Sequence, residues 1–139
     1  MVAQLSPAAR HGTGPLAGLM RDGALHCVFQ PLADLREGSV YAHEALIRGP
    51  QGGPWHAPDA LLAQARTEGV LQDFELFCVF TALEQWSAQA TPGRLFVNIS
   101  ADALVHGVGM VAWPSWAKRC AAAASMRGCW CWKLQSTSA

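Results

Sequence analysis

Tyr41-Ala42-His43-Glu44-Ala45-Leu46-Ile47-Arg48 is the stretch whose reading decides the fold of this chain. It suits a β-strand, and side chains on a strand alternate between its two faces. Glu44, Leu46 and Arg48 therefore share one face, and His43 lies on the other. A carboxylate and a guanidinium on one strand face, beside apolar neighbours, suit a metal-plus-phosphate site better than a solvated edge.

The surroundings extend this strand into an α/β pattern. Leu25 to Leu35 is rich in β-formers, Arg36-Glu37-Gly38 is a turn, and Ser39 to Arg48 is the second strand of the hairpin so formed. Gly49 to Pro54 is a loop by composition. A short helix is expected from Pro58, with proline in its first turn, Asp59 complementing the helix dipole and Gly69 ending it. From Leu71 to Ala88, the residues Leu71, Phe74, Phe77, Cys78, Leu83 and Trp86 follow helical spacing, with Gln72, Asp73, Glu84 and Gln85 assigned to the opposite side. Thr91-Pro92-Gly93 breaks this helix. Arg94 to Asn98 is a short strand, and Ala101 to Leu104 opens another helix. Residues 1–24, punctuated by Pro7, Gly12, Gly14 and Pro15, read as a flexible lead-in. The order β-β-α-α-β-α fits an α/β layout in which later strands add in parallel.

Phe29-Gln30-Pro31 before the opening stretch and Phe96-Val97-Asn98-Ile99-Ser100 after it complete a pattern. From about Leu25 to about Val105 the chain resembles the start of an EAL domain, a family that hydrolyses the bacterial second messenger cyclic di-GMP. The resemblance implies a TIM-like (β/α) barrel, with its site at the C-terminal ends of the strands. It further implies that Glu44 and Asn98 are metal ligands and that the cofactors are two Mg²⁺ or Mn²⁺ ions, hard cations that take oxygen donors. Such a pair activates water and clamps both oxygens of an in-line phosphodiester displacement, yielding linear pGpG. By the same resemblance Arg48 reaches a ligand phosphate, and Gln30 and Leu46 touch the dinucleotide.

Composition sets the outer limits. With 139 residues the chain has length for one domain. Ten basic and ten acidic residues balance, so nothing points to a nucleic-acid polymer as partner. The first residues lack a charged segment followed by a long apolar run, and no run approaches a membrane span, which makes the cytoplasm the expected compartment. Cys27 and Cys78 lie in apolar segments, as buried thiols do. Cys129-Trp130-Cys131 lacks the spacing of a CxxC pair, and no zinc site is expected. His11, His26, His43, His56 and His106 show no ligand spacing and are read as structural or exposed.

The resemblance then stops. Residues 103–139 hold no acid but carry four of the six tryptophans, three of the five cysteines and both lysines, Lys118 and Lys133. The genetic code explains this composition. Tryptophan has one codon and cysteine always begins with TG, so neighbouring codons constrain the overlapping frame. Joining the last base of each codon to the first two of the next, Cys129-Trp130 forces Leu, Trp130-Cys131 forces Val, Cys131-Trp132 forces Leu and Trp132-Lys133 forces Glu. The following junctions permit Ile, Thr and Glu. That hidden Leu-Val-Leu-Glu resembles the strand carrying the next metal-binding acid of EAL domains.

These readings divide the chain into a lead-in (1–24), the front part of an EAL domain (25–107) and an irregular, out-of-frame tail (108–139), with a frameshift near residues 105–112. A closed barrel needs roughly 200 residues or more, so an incomplete one is expected. Its last in-frame strand offers an unpaired edge through which copies can dimerise or aggregate. The family's further acids and its water-positioning lysine have no counterpart here, so no phosphodiesterase turnover is expected of this polypeptide. The alternative is a degenerate module that binds cyclic di-GMP or a protein partner without cleavage.

Overall fold

The computed structural model describes residues 13–89, 93–109 and 130–135. Eight elements follow one another: α1 (Pro15–Arg21), β1 (His26–Asp34), β2 (Ser39–Arg48), α2 (Pro58–Glu68), α3 (Leu71–Gln89), β3 (Arg94–Ser100), α4 (Ala101–Gly109) and β4 (Trp130–Gln135). They build one four-stranded sheet in the order β1-β2-β3-β4.

The hairpin forms as its sequence predicts. β1 and β2 pair antiparallel with Val28 opposite Leu46 and Gln30 opposite Glu44, and the register shifts once, between Leu32 and Ala33. Asp34 closes the turn by accepting the backbone N–H groups of Arg36 at 2.8 Å and Glu37 at 3.2 Å through Oδ1. Gly38 takes the left-handed conformation there (φ 64°), which its missing Cβ permits. β2 and β3 are parallel, Glu44 standing beside Phe96, and β3 and β4 are parallel in turn. Parallel pairing requires long crossovers; α2 and α3 supply the one between β2 and β3.

One face of the sheet makes the core. Cys27, Ala45, Ile47, Leu95, Val97 and Ile99 are buried in one cluster with Phe74, Val79, Leu83 and Trp86 of α3. The opposite face carries Val28, Gln30, Glu44, Leu46, Phe96 and Asn98, all half-buried or exposed. Two turns of backbone fix the approach of α2. The carbonyl of Trp55 lies where a Cβ on Gly49 would stand, so only glycine fits. Gly69 ends α2 in the left-handed conformation (φ 69°), and its N–H donates to the carbonyls of Ala65 and Arg66.

Three expectations from the sequence need correction. The lead-in is not a flexible segment throughout, because residues 15–21 form α1 and bury Leu16, Ala17 and Met20. Its cause lies fifty residues away: the Glu68 carboxylate accepts the N–H of Leu16 at 2.9 Å and of Ala17 at 3.3 Å. A local reading of proline and glycine cannot see that anchor. The tail is not irregular throughout either, since Trp130–Gln135 continues the sheet as β4. Finally, Gln85 is not on a solvent side of α3; its Oε1 accepts the Cys27 N–H of β1 at 2.8 Å. Residues 1–12, 110–129 and 136–139 of these two segments lie outside the described residues.

Candidate functional site

Glu44 and Asn98, the two residues that the resemblance names as metal ligands, come together in the structure. β2 and β3 run parallel, and the Asn98 side-chain amide donates through Nδ2 to Glu44 Oε1 at 2.8 Å. That bond sets the amide's orientation, because only the NH₂ end can donate to a carboxylate. Asn98 Oδ1 is then left buried without a hydrogen-bond partner among the described residues. A buried amide oxygen with no donor is costly unless something electropositive meets it.

The other named residues share this face but not the contact. Gln30 is the register partner of Glu44 and is exposed; Leu46 is half-buried opposite Val28. Arg48 sits at the end of β2 and turns its guanidinium back on its own strand, donating through Nη1 to the Ile47 carbonyl at 2.9 Å. Glu44 is nearer the middle of β2 than its end, so the pair lies inside the sheet's C-terminal edge.

The two oxygens, one anionic and one neutral, are the right type for a hard divalent cation. They do not fit a pair of such ions, each of which wants near-octahedral oxygen coordination. Among the described residues no group of three or more acidic, histidine or cysteine side chains is placed to hold a metal.

Behind the site, α3 braces β3 through a contact the sequence reading missed. Glu75 is buried within α3, and its Oε2 accepts both the hydroxyl and the backbone N–H of Ser100, the latter at 3.3 Å. The Ser100 hydroxyl oxygen in turn accepts the N–H of Ala103 at 3.1 Å, capping α4. The signal was present in the sequence: Glu75 is a lone acid inside Phe74-Glu75-Leu76-Phe77, and an acid buried in an apolar run must be paired. On the core side, His43 packs against Trp86 at 5.0 Å between ring centroids, as does Phe29. His43 thus faces away from Glu44, as strand alternation requires. At the other end of the sheet Arg94 stacks over Tyr41, 4.5 Å from the ring centre.

Comparison with known proteins bears directly on this arrangement. The family model described as EAL domain matches residues 16–125, most of the chain. The chain belongs to the EAL family. Within it, the chain is 30% identical over 88 residues to the probable cyclic di-GMP phosphodiesterase PdeB of Escherichia coli K12; the match covers 60% of this chain and 17% of that protein. The chain therefore spans about a sixth of that curated relative. Among solved structures, the EAL fold of this chain is similar to that of the Xanthomonas citri FimX EAL domain in complex with c-diGMP, with a TM-score of 0.60 at 17% identity, covering 80% of this chain and 43% of the other. It is also similar to an EAL domain protein from Listeria monocytogenes, with a TM-score of 0.59 at 16% identity, covering 87% and 48%. At these identities the likeness concerns the fold, and the shares covered agree with an incomplete EAL barrel. No helix among the described residues is long and apolar enough to cross a membrane.

Proposed function

We infer that this chain is the front portion of a cyclic di-GMP phosphodiesterase that retains the beginning of the catalytic site and lacks the rest. The observation that carries this reading is the Glu44–Asn98 pair, a 2.8 Å contact between neighbouring parallel strands with a buried amide oxygen left over. The relatives' names supply the substrate class: cyclic di-GMP, cleaved in the family with Mg²⁺ or Mn²⁺. The two oxygen donors found together among the described residues are too few for a metal pair, and no turnover by this chain is expected. The out-of-frame reading of the tail supplies a reason, while the family match itself runs to residue 125.

The deciding experiment is incubation of the full purified chain with cyclic di-GMP and Mn²⁺, with chromatography for pGpG. No product is expected. Product formation that disappears in Glu44→Gln would overturn the reading. Sequencing the gene tests its other half, because an open shifted frame through Leu-Val-Leu-Glu is required.

A second reading has its own support. Gln30, Glu44, Leu46 and Arg48 stay on one accessible sheet face, and one structural neighbour is an EAL domain in complex with c-diGMP. Binding without cleavage uses that face, with Arg48 as the phosphate contact. Calorimetric titration with cyclic di-GMP separates the two readings: saturable heat lost in Arg48→Ala supports the binding module. Association of copies through the outer strands β1 and β4 would show as a concentration-dependent mass in light scattering.

A further inference from the structure

The two outer strands of the sheet differ in what their free edges offer. In an antiparallel pair, residues bond alternately towards the partner strand and away from it. The Cys27 N–H points away from β2, because it donates to Gln85 Oε1 of α3 at 2.8 Å. The register of β1 on β2 runs unbroken from His26 to Leu32, so Phe29 and Pro31 share this outward alternation. Gln85 occupies the first of these positions, and the proline at the third has no N–H to give. Among the described residues, the Phe29 N–H is what remains there to pair with another strand. One donor does not make a ladder.

The far side of β4 carries no such block. The sheet ends there, and among the described residues no strand pairs with it. Every second residue of Trp130–Gln135 turns its N–H and C=O away from β3. None of the six is proline, so the row of donors is complete. The fold itself is built to go on, since more than half of the FimX EAL domain lies outside the match with this chain.

We propose that two copies of this chain pair β4 against β4 into one continuous sheet, and that Gln85 and Pro31 limit the assembly to that dimer. A backbone edge is satisfied by another strand, and every copy brings the same edge. With ten basic and ten acidic residues, copies carry no net charge to keep them apart. A two-fold axis normal to the sheet runs the two β4 strands antiparallel and puts both Glu44–Asn98 faces on one side. Each chain has then used its open edge, so the contact closes. Were β1 as open as β4, head-to-tail pairing would extend without limit. This rests on the reading of the chain as an incomplete barrel. It goes further in naming the edge, its occupant and the two residues that stop growth.

Sedimentation equilibrium of the full chain gives the size: two copies at high concentration, one on dilution, and never more than two. Double electron–electron resonance identifies the edge. A nitroxide is placed on Val28→Cys, a 39% exposed position of β1, in a chain with Cys120, Cys129 and Cys131 changed to serine. Joined through β4, the two labels stand seven strand spacings apart, roughly 30 Å at about 4.8 Å each. Joined through β1, they fall within about 15 Å. The double variant Gln85→Leu/Pro31→Val opens β1 and forms species larger than the dimer. A monomer at every concentration overturns the proposal, the β4 edge then being covered by the chain's own residues. A short label separation, growth of the wild type beyond two copies, or a folded double variant that stays dimeric overturns it as well. If circular dichroism shows the double variant unfolded, wild-type mass and label separation decide. Failure of the incomplete-barrel reading is distinct, because it shows as pGpG formation by the wild type.

Discussion

Replacing Glu75 by leucine tests how the sheet is held to the helix behind it. The side chains are similar in size, so little cavity arises, and the change isolates the carboxylate. It removes two hydrogen bonds to one charged acceptor, from the Ser100 N–H and hydroxyl, each worth about 1.5–3 kcal/mol. Both Ser100 donors are then buried without that acceptor, Ser100 being only 2% exposed. Against this stands the relief of no longer burying a carboxylate, which offsets several kcal/mol of gross interaction. A net destabilisation of about 2–3 kcal/mol follows. Urea denaturation followed by far-ultraviolet circular dichroism measures it, and a double-mutant cycle with Ser100→Ala assigns it to the contact. The expected coupling is about 1–3 kcal/mol. A Glu75→Leu chain within ~0.5 kcal/mol of wild type, the usual effect of a surface change, would refute the reasoning, as would a coupling near zero.

Three further outcomes follow from named contacts. Gly49→Ala drives a Cβ into the Trp55 carbonyl and costs at least about 2 kcal/mol by the same denaturation assay, since backbone must move. Burial tends to raise the Glu68 carboxyl, but hydrogen bonds from Gln64 and from the Leu16 and Ala17 N–H groups outweigh it, and its pKa falls below the usual glutamate value. A depressed folded-state pKa means stability that is present above the unfolded value and lost as pH drops through the folded one. The ordering of α1, read by amide exchange, therefore weakens below about pH 4, and Glu68→Gln flattens that dependence. Burial pushes the Cys27 thiol up to about 12 and raises Cys78 well above the ordinary range, with Cys27 and Glu75 adding to the latter. In a chain with Cys120, Cys129 and Cys131 changed to serine, iodoacetamide at pH 8 labels the native protein far more slowly than the urea-unfolded one; equal rates would contradict the buried placement.

How far the sequence reached can be judged element by element. Local chemistry determined the hairpin, the start of α2 at Pro58, its end at Gly69 and the long α3, because turns, caps and apolar periodicity act over a few residues. The resemblance singled out Glu44 and Asn98, but their hydrogen bond and the pairing of β2 with β3 came from the structure. The forced codons of Cys129 to Lys133 were also readable from sequence alone. The tertiary structure decided what depends on distance along the chain. Glu68 anchors the start of α1 from far along the chain, Glu75 reaches Ser100, and Gln85 reaches Cys27, each a polar group whose partner no local rule names. The register of β4 belongs to the same class. Sequence marks Lys133 as a base in an unmatched context, and only the pairing of β4 on β3 sets it beside Asn98. A strand's face follows from its own alternation, but its neighbour in the sheet is settled by which backbone satisfies its hydrogen bonds.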